Sequence, residues 1–320
     1  MIRLLITLLL AAFTLPATSA EFPSAPIRLV VPYAPGGPVD VLARAIGPAI
    51  SAALKQSVVI ENRTGANEIV AAEYVAKSAP DGLTLFVATD AGLTMNPHLY
   101  KKLNYDPVRD FVPVTQLVSI PMVVLASPSL PVTNMADMLR LAKDKPGTLA
   151  YGSSGLGGIT HIPMSMLEKY NNVQLVHVPY KGAGQLTPDL IAGNIQLSLL
   201  AVSVVEQYVK SGRMKALALS APKRVPALPD VPTFTELGLK DIGGSFFIGL
   251  VAPTGTPKDI VDRLSKLTHD IISAPDFRAK YLDPYAYELV ASSPTEFKGF
   301  LQTQFSQQAE RIRISGAKME

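Results

Sequence analysis

Tyr33-Ala34-Pro35-Gly36-Gly37-Pro38-Val39-Asp40 follows the apolar run Ile27-Arg28-Leu29-Val30-Val31 and precedes a segment with Val41, Leu42, Ile46, Ala49, Ile50 and Ala53 on one stripe. The run reads as a strand, and the spacing of three and four predicts a helix. Two prolines flank a glycine pair that lets backbone approach a ligand closely. The free N–H groups and positive dipole end of the helix start face whatever occupies the turn. Such a turn holds a carboxylate without an arginine. By itself it is also an ordinary strand-to-helix turn of an α/β protein.

The unit recurs along the chain. Val58-Val59-Ile60 predicts a strand, then Ile69, Ala72, Val75 and Ala76 a helix ended by Ala79-Pro80-Asp81-Gly82. Leu83 to Ala88 predicts a strand ending at Thr89-Asp90-Ala91-Gly92, and Pro121 to Ala126 another. Leu149-Ala150-Tyr151-Gly152 leads into Ser153-Ser154-Gly155-Leu156-Gly157-Gly158-Ile159-Thr160-His161, and Met164, Met166, Leu167 and Tyr170 predict the helix behind it. Further strands are expected at 175–178, 195–201 and 216–220. Alternating strands and helices place the chain in the α/β class. The turns near residues 36 and 155 share a glycine-rich chemistry at helix starts. In open α/β sheets ligands bind at the carboxyl ends of strands, so two such turns on separate domains would clasp a small dianion from both tips.

Composition narrows the function. Met1-Ile2-Arg3, the apolar run Leu4 to Leu15 and the small residues Thr18-Ser19-Ala20 predict a secretory signal peptide over residues 1–20. Excluding it leaves about 300 residues, enough for one large or two ordinary domains. An exported protein is expected, located in the periplasm, with no later segment apolar enough to span a membrane. There are no cysteines, hence no disulfide framework, thiolate nucleophile or cysteine metal site. The net charge of +3 is mild, and the basic residues form no stripe of the kind that binds nucleic acid.

Other chemistries fit poorly. Gly152-Ser153-Ser154-Gly155 invites a serine-hydrolase reading, but Leu156 breaks the nucleophile-elbow spacing. The four histidines, His98, His161, His177 and His269, are far apart in sequence, and any serine nucleophile needs one as its base. Gly155-Leu156-Gly157-Gly158-Ile159-Thr160 lacks the third glycine of a dinucleotide fingerprint. No histidine pair has metal-ligand spacing, so no metal or cofactor is expected. His161 reads as a capping or packing residue, and Asp106, Arg109 and Asp110 as solvated charges.

Several motifs in order carry a resemblance. They are Pro26-Ile27-Arg28-Leu29-Val30-Val31-Pro32-Tyr33-Ala34-Pro35-Gly36-Gly37 with Asp40, Val59-Ile60-Glu61-Asn62-Arg63, and Ala79-Pro80-Asp81-Gly82. Tyr105-Asp106-Pro107 with Asp110-Phe111, His177-Val178-Pro179-Tyr180-Lys181-Gly182, Leu228-Pro229-Asp230-Val231-Pro232-Thr233 and Ala252-Pro253-Thr254-Gly255-Thr256-Pro257 follow. The ordered set resembles the Bug-type family, the extracytoplasmic solute-binding proteins of tripartite tricarboxylate transporters, from about Pro26 onward.

The resemblance implies a two-domain periplasmic binding fold, a type II-like clamshell with its ligand in the interdomain cleft, and no catalysis. It implies a small carboxylate ligand, and membrane subunits of a tripartite transporter as partners. The expected domains are 26–122 with 248–320, and 123–247; a monomer is expected. The family's carboxylate-binding turns map onto Ala34 to Asp40 and Ser153 to Thr160. The candidate ligand-binding residues are Tyr33, Ala34, Gly36, Gly37, Asp40, Thr89, Asp90, Ser153, Ser154, Gly157, Gly158, Thr160 and Tyr180. The chain departs from the family at Asn67-Glu68, where a glycine-rich segment is common, and at Asp90 and Leu200. Glu68 reads as a favourable charge on the first turn of its helix. Asp90 reads either as an acceptor for a donor group on the ligand or as a cap for the turn after it. The alternative functions are a sensory module presenting its ligand to a membrane receptor kinase, and an exported hydrolase using Ser153 or Ser154.

Overall fold

A computed structural model describes residues 22–240, 242–244 and 246–317; the signal-peptide reading of residues 1–20 lies outside them. The strands are β1 Ile27–Val31, β2 Val58–Asn62, β3 Thr84–Ala88, β4 Phe111–Ile120, β5 Met122–Ala126, β6 Ala150–Ser153, β7 Val176–Pro179, β8 Leu197–Ala201, β9 Lys215–Ser220, β10 Phe246–Pro253 and β11 Glu288–Leu289. The helices of eight residues or more are α1 Pro38–Leu54, α2 Ile69–Ala76, α3 Met135–Asp144, α4 Ile162–Asn171, α5 Ala183–Ala192, α6 Val202–Lys210, α7 Lys258–Ser273 and α8 Pro294–Ser315.

Two sheets form. The first has the order β11-β4-β10-β3-β1-β2 and the second β7-β6-β8-β5-β9. In the first, β3, β1 and β2 are parallel and β10 runs antiparallel between β3 and β4. In the second, β7, β6 and β8 are parallel and β5 runs antiparallel to β8 and β9. Each sheet with its helices forms one lobe, the α/β architecture that strand–helix alternation predicted.

The period of two in the strands distributes the core. In β5, Val123 and Leu125 pack with Leu186 and Leu190 of α5 on one face, while Val124 and Ala126 join Met135 and Met138 of α3 on the other. In β10, Phe247 and Val251 face Phe297 of α8, and Ile248 and Leu250 face the opposite layer with Leu42 of α1 and Leu264 of α7. That second layer continues through Ile120 and Met122 into the other lobe, so one core spans the junction. Helix α8 packs on β4 and, across the junction, on α4.

The chain crosses between sheets twice. Strand β4 leads through Pro121 directly into β5, and the segment after β9 returns to β10. The registers bring the carboxyl ends of the parallel strands to this junction from both sides. Gly249 of β10 pairs with Ala88, the last residue of β3, and Phe246 pairs with Ile120. On the other side Met122 pairs with Ala201, the last residue of β8, and with Ser220 of β9. The Val202 N–H donates to Pro121 O at 3.0 Å, tying the start of α6 to the crossing.

Candidate functional site

Two strand-end edges meet at the junction, and their chemistry differs. On the first edge, Asp40 stands in the first turn of α1, where a carboxylate complements the helix dipole. Its carboxylate is buried and accepts from Gly36 N at 2.9 Å, Asn62 Nδ2 at 2.7 Å and Arg44 Nε at 2.8 Å. Burial opposes ionisation, but Arg44, Asn62 and the Gly36 N–H together hold Asp40 below the ordinary carboxylate range. Asn62 Nδ2 also donates to Tyr33 O at 2.9 Å, which fixes the turn against β2. Ala34, Pro35 and Gly36 stay exposed at its crest. Gly36 has φ of 88°, whereas Gly37 lies at −77° with room for a Cβ, the nearest atom being Ala34 O at 3.7 Å. Gly36, not Gly37, is therefore the glycine that the turn's conformation requires.

Glu68 departs from its expected place. It stands at the N-cap of α2 with no capping bond, and its side chain turns inward, 1% exposed. Oε1 accepts from Tyr33 Oη at 2.7 Å and from Thr89 Oγ1; Oε2 accepts from Thr89 N at 3.2 Å and Gly92 N at 3.1 Å. The surface charge on a first helical turn is thus a buried carboxylate beneath the ends of β1 and β3. Burial raises its pKa, and the four donors pull the other way without cancelling the effect. Ala66, Asn67 and Glu68 all have positive φ, at 44°, 50° and 74°. Non-glycine residues there carry about 1 kcal/mol or more of strain each. Paired bonds between Asn67 and Asn96, at 2.9 and 2.7 Å, hold the loop. Gly92 makes the room, because a Cβ there would lie 2.5 Å from Glu68 Oε2.

Asp90 makes no capping bond to the turn that follows β3. Its Oδ2 accepts from Phe247 N at 3.0 Å, on the returning crossover strand. It lines a cavity of about 160 Å³ with Gln116, Ser119, Phe300, Gln304, Gln307 and Arg311. Burial raises its pKa to about 7, with Glu68 adding to the rise and Phe247 N–H and Arg311 opposing it.

The turn of the second edge, Ser153 to His161, contains no acid. Ser153 ends β6 and is fully buried; its Oγ lies 3.0 Å from Gly155 O and shares a 2.7 Å hydrogen bond with His177 Nε2. The Ser154 N–H donates to Thr160 Oγ1 at 2.8 Å, and the Gly157 N–H to His161 Nδ1 at 3.0 Å. Tyr151, His177 and His161 form a ring stack, with 4.0 Å between the histidine centroids. Burial and the neighbouring His177 lower the His161 pKa to about 4, so both rings are neutral at neutral pH. The fold has gathered two histidines that lie far apart in sequence. At the start of α6, Ser203 Oγ is buried without a partner. Tyr180 is reached by its N–H donating to Ser153 O at 2.9 Å, but its hydroxyl donates to Asp189 on α5 at 2.7 Å.

The structure thus gathers Tyr33, Asp40, Thr89 and Asp90 on one edge and Ser153, Ser154, Gly157, Gly158 and Thr160 on the other. Sequence reasoning marked Glu68 as a departure from the family near the cleft but not as a buried group of this edge, and it missed His161 and His177. The signal for Glu68 was an acid replacing glycine-rich sequence; the histidines gave none, since only the β6–β7 pairing brings His177 beside Tyr151.

A family profile described as Tripartite tricarboxylate transporter family receptor matches residues 42–316. The chain belongs to this receptor family. It is 33% identical over 311 residues to a UPF0065 protein of Bordetella pertussis, covering 97% of this chain and 95% of that one. Among solved structures, R. palustris Rpa4515 with adipate superposes with a TM-score of 0.85 at 31% identity, covering 93% of this chain and 100% of that one. MatC (Rpa3494) from Rhodopseudomonas palustris with bound malate does so at 0.81 and 29% identity, covering 91% and 100%. The Bug-type resemblance and the two-lobe binding-protein fold are borne out. As a member of a receptor family the chain is a substrate-binding protein and not an enzyme. The Ser153–His177 bond is accordingly no catalytic dyad, and the serine is fully buried.

Proposed function

We propose that this receptor captures a small organic carboxylate between its two strand-end edges, in the periplasm, for transfer to the membrane subunits of a tripartite transporter. The observation that carries the reading is the convergence of both carboxyl edges on Pro121, with a glycine-rich helix start on each. In open α/β sheets this crevice is where ligands bind. The relatives that hold adipate and malate support a carboxylate. The domains are then close to the expected 26–122 with 248–320, and 123–247, but with Met122 in the second and Phe246 and Phe247 in the first, since β5 and β10 begin there, and the hinges fall at Pro121 and in the return to β10. Among the described residues no helix is long and apolar enough to cross a membrane.

A thermal-shift screen of mono-, di- and tricarboxylates tests the reading, since a ligand specific to the folded form raises its apparent stability. At least one is expected to raise the Tm, and no response to any of them would sink it. Small-angle scattering with the responding ligand should show a smaller radius of gyration, because only a closed cleft lets both edges touch one molecule; identical profiles would count against closure.

Gly37→Val separates binding from folding. The backbone at Gly37 accepts a side chain and a Cβ meets nothing closer than 3.7 Å, so the variant should fold with a near-normal Tm. Two methyls over the α1 N-terminus should still weaken ligand binding by about tenfold or more, by narrowing the first edge where the far end of the ligand approaches the turn. Unchanged affinity measured by calorimetry would remove the α1 turn from the site.

A further inference from the structure

The first edge has already spent its anion-binding donors on its own side chains. The Glu68 carboxylate takes two hydroxyls, Tyr33 Oη and Thr89 Oγ1, and two backbone N–H groups, Thr89 and Gly92. Gly36 N–H is taken by Asp40, and Phe247 N–H by Asp90. Among the described residues Arg44 pairs with Asp40, but no lysine or arginine forms an ion pair with Glu68. The second edge is the reverse. Its turn donors meet only neutral acceptors: the Ser153 and Thr160 hydroxyls and the His161 imidazole. The donors of the first edge are thus taken by its own carboxyl groups, while among the described residues no acid accepts from the turn donors of the second, at the start of α4.

We infer that Glu68 is a specificity-determining residue that fills the anion seat of the first edge from within, so that the ligand places its carboxylate on the Ser153–His161 turn and offers the first edge an uncharged or cationic donor group. The ligand class is a monocarboxylate with an amide, hydroxyl or ammonium group at its far end. This inference rests on the proposed cleft for its ligand half only; the internal seat stands on the geometry of Glu68 alone. A second ligand carboxylate at the first edge would find those four donors occupied and a carboxyl group of this chain already in its place. A donor group needs none of these occupied N–H and O–H groups. The three consecutive positive-φ residues and the missing side chain at Gly92 are the structural provisions that put this carboxylate in place.

The test uses wild type and Glu68→Gly, since glycine suits φ of 74° and empties the seat. Acetate is the first probe. It is expected to raise the Tm of Glu68→Gly by refilling the vacated donors, and to leave wild type unmoved; no difference between the two would overturn the internal seat. The second probe is a length-matched set: adipate, its monoamide and 6-aminohexanoate. By calorimetry wild type should bind the monoamide or the amine at least about tenfold more tightly than adipate, and Glu68→Gly should reverse the order. Adipate as the tightest wild-type ligand, or the same order in both proteins, would overturn the ligand class. Acetate rescue with no wild-type binding of any carboxylate would uphold the seat and sink the cleft reading instead.

Discussion

Asp90→Asn should make the protein more stable above neutral pH and flatten its stability between pH 4 and pH 7. The Asp90 carboxyl is buried against β10, and its pKa rises from 3.8 to about 7 on folding. The folded chain therefore holds a proton that the unfolded chain releases over that interval. Stability is full below the unfolded value, falls as pH rises through the folded value, and is level beyond it. A rise of this size corresponds to a loss of about 4 kcal/mol. Asparagine keeps an acceptor for the Phe247 N–H and never ionises, so its advantage should appear at pH 8 and vanish at pH 4. Urea unfolding at pH 4.5, 6 and 8 measures it. Parallel pH profiles for the two proteins would show that Asp90 stays ionised in the fold. Glu68, raised by the same burial, should leave a slope of the same sign in the variant.

Phe297→Ala should cost about 3–5 kcal/mol, the range for deleting a fully buried aromatic ring. The ring is wholly buried, meets Phe247 edge-on at 5.8 Å between centroids and lies over Gly249 of β10. A Cβ at position 249 would fall 2.3 Å from Phe297 Cζ, so ring and glycine form one packing unit. Gly249→Ala alone should therefore destabilise by about 1–3 kcal/mol through overpacking. In the Phe297→Ala background the same methyl enters the cavity, and its cost should shrink or change sign. A double-mutant cycle by denaturant unfolding measures this, and strictly additive effects would mean that Phe297 relaxes away from β10. The unit bears on function because α8 packs on both lobes, so losing its anchor loosens the element that spans the junction.

Local pattern accounts for much of the fold. The alternation at β5 and the spacing of Leu42, Ile46 and Ile50 follow from which faces are apolar, and the β1–α1 turn from its glycines and prolines. Strand β4 was less legible, because Pro113 interrupts it and both its faces are covered, which removes the alternation that marks a strand. Strand β10 is buried along its whole length and presents a continuous apolar run for the same reason. The ends of the candidate site were visible as glycine-rich helix starts, since conformational freedom and free N–H groups are local properties.

The chemistry within the site was not local. Glu68 reads as a solvated charge until the loop before α2 turns its side chain under the ends of β1 and β3. Asp90 reads as a cap or a ligand contact until β10, 157 residues further on, supplies the N–H that it binds. His161 and His177 become a stacked neutral pair only because β6 and β7 lie side by side. The sequence by itself determined the α/β class, the two helix-start turns and the receptor family, all written in short-range patterns of apolar residues, glycines and prolines. Tertiary structure alone decided which donors those turns still have to offer, because hydrogen-bond partners and burial are set by groups that come from distant parts of the chain.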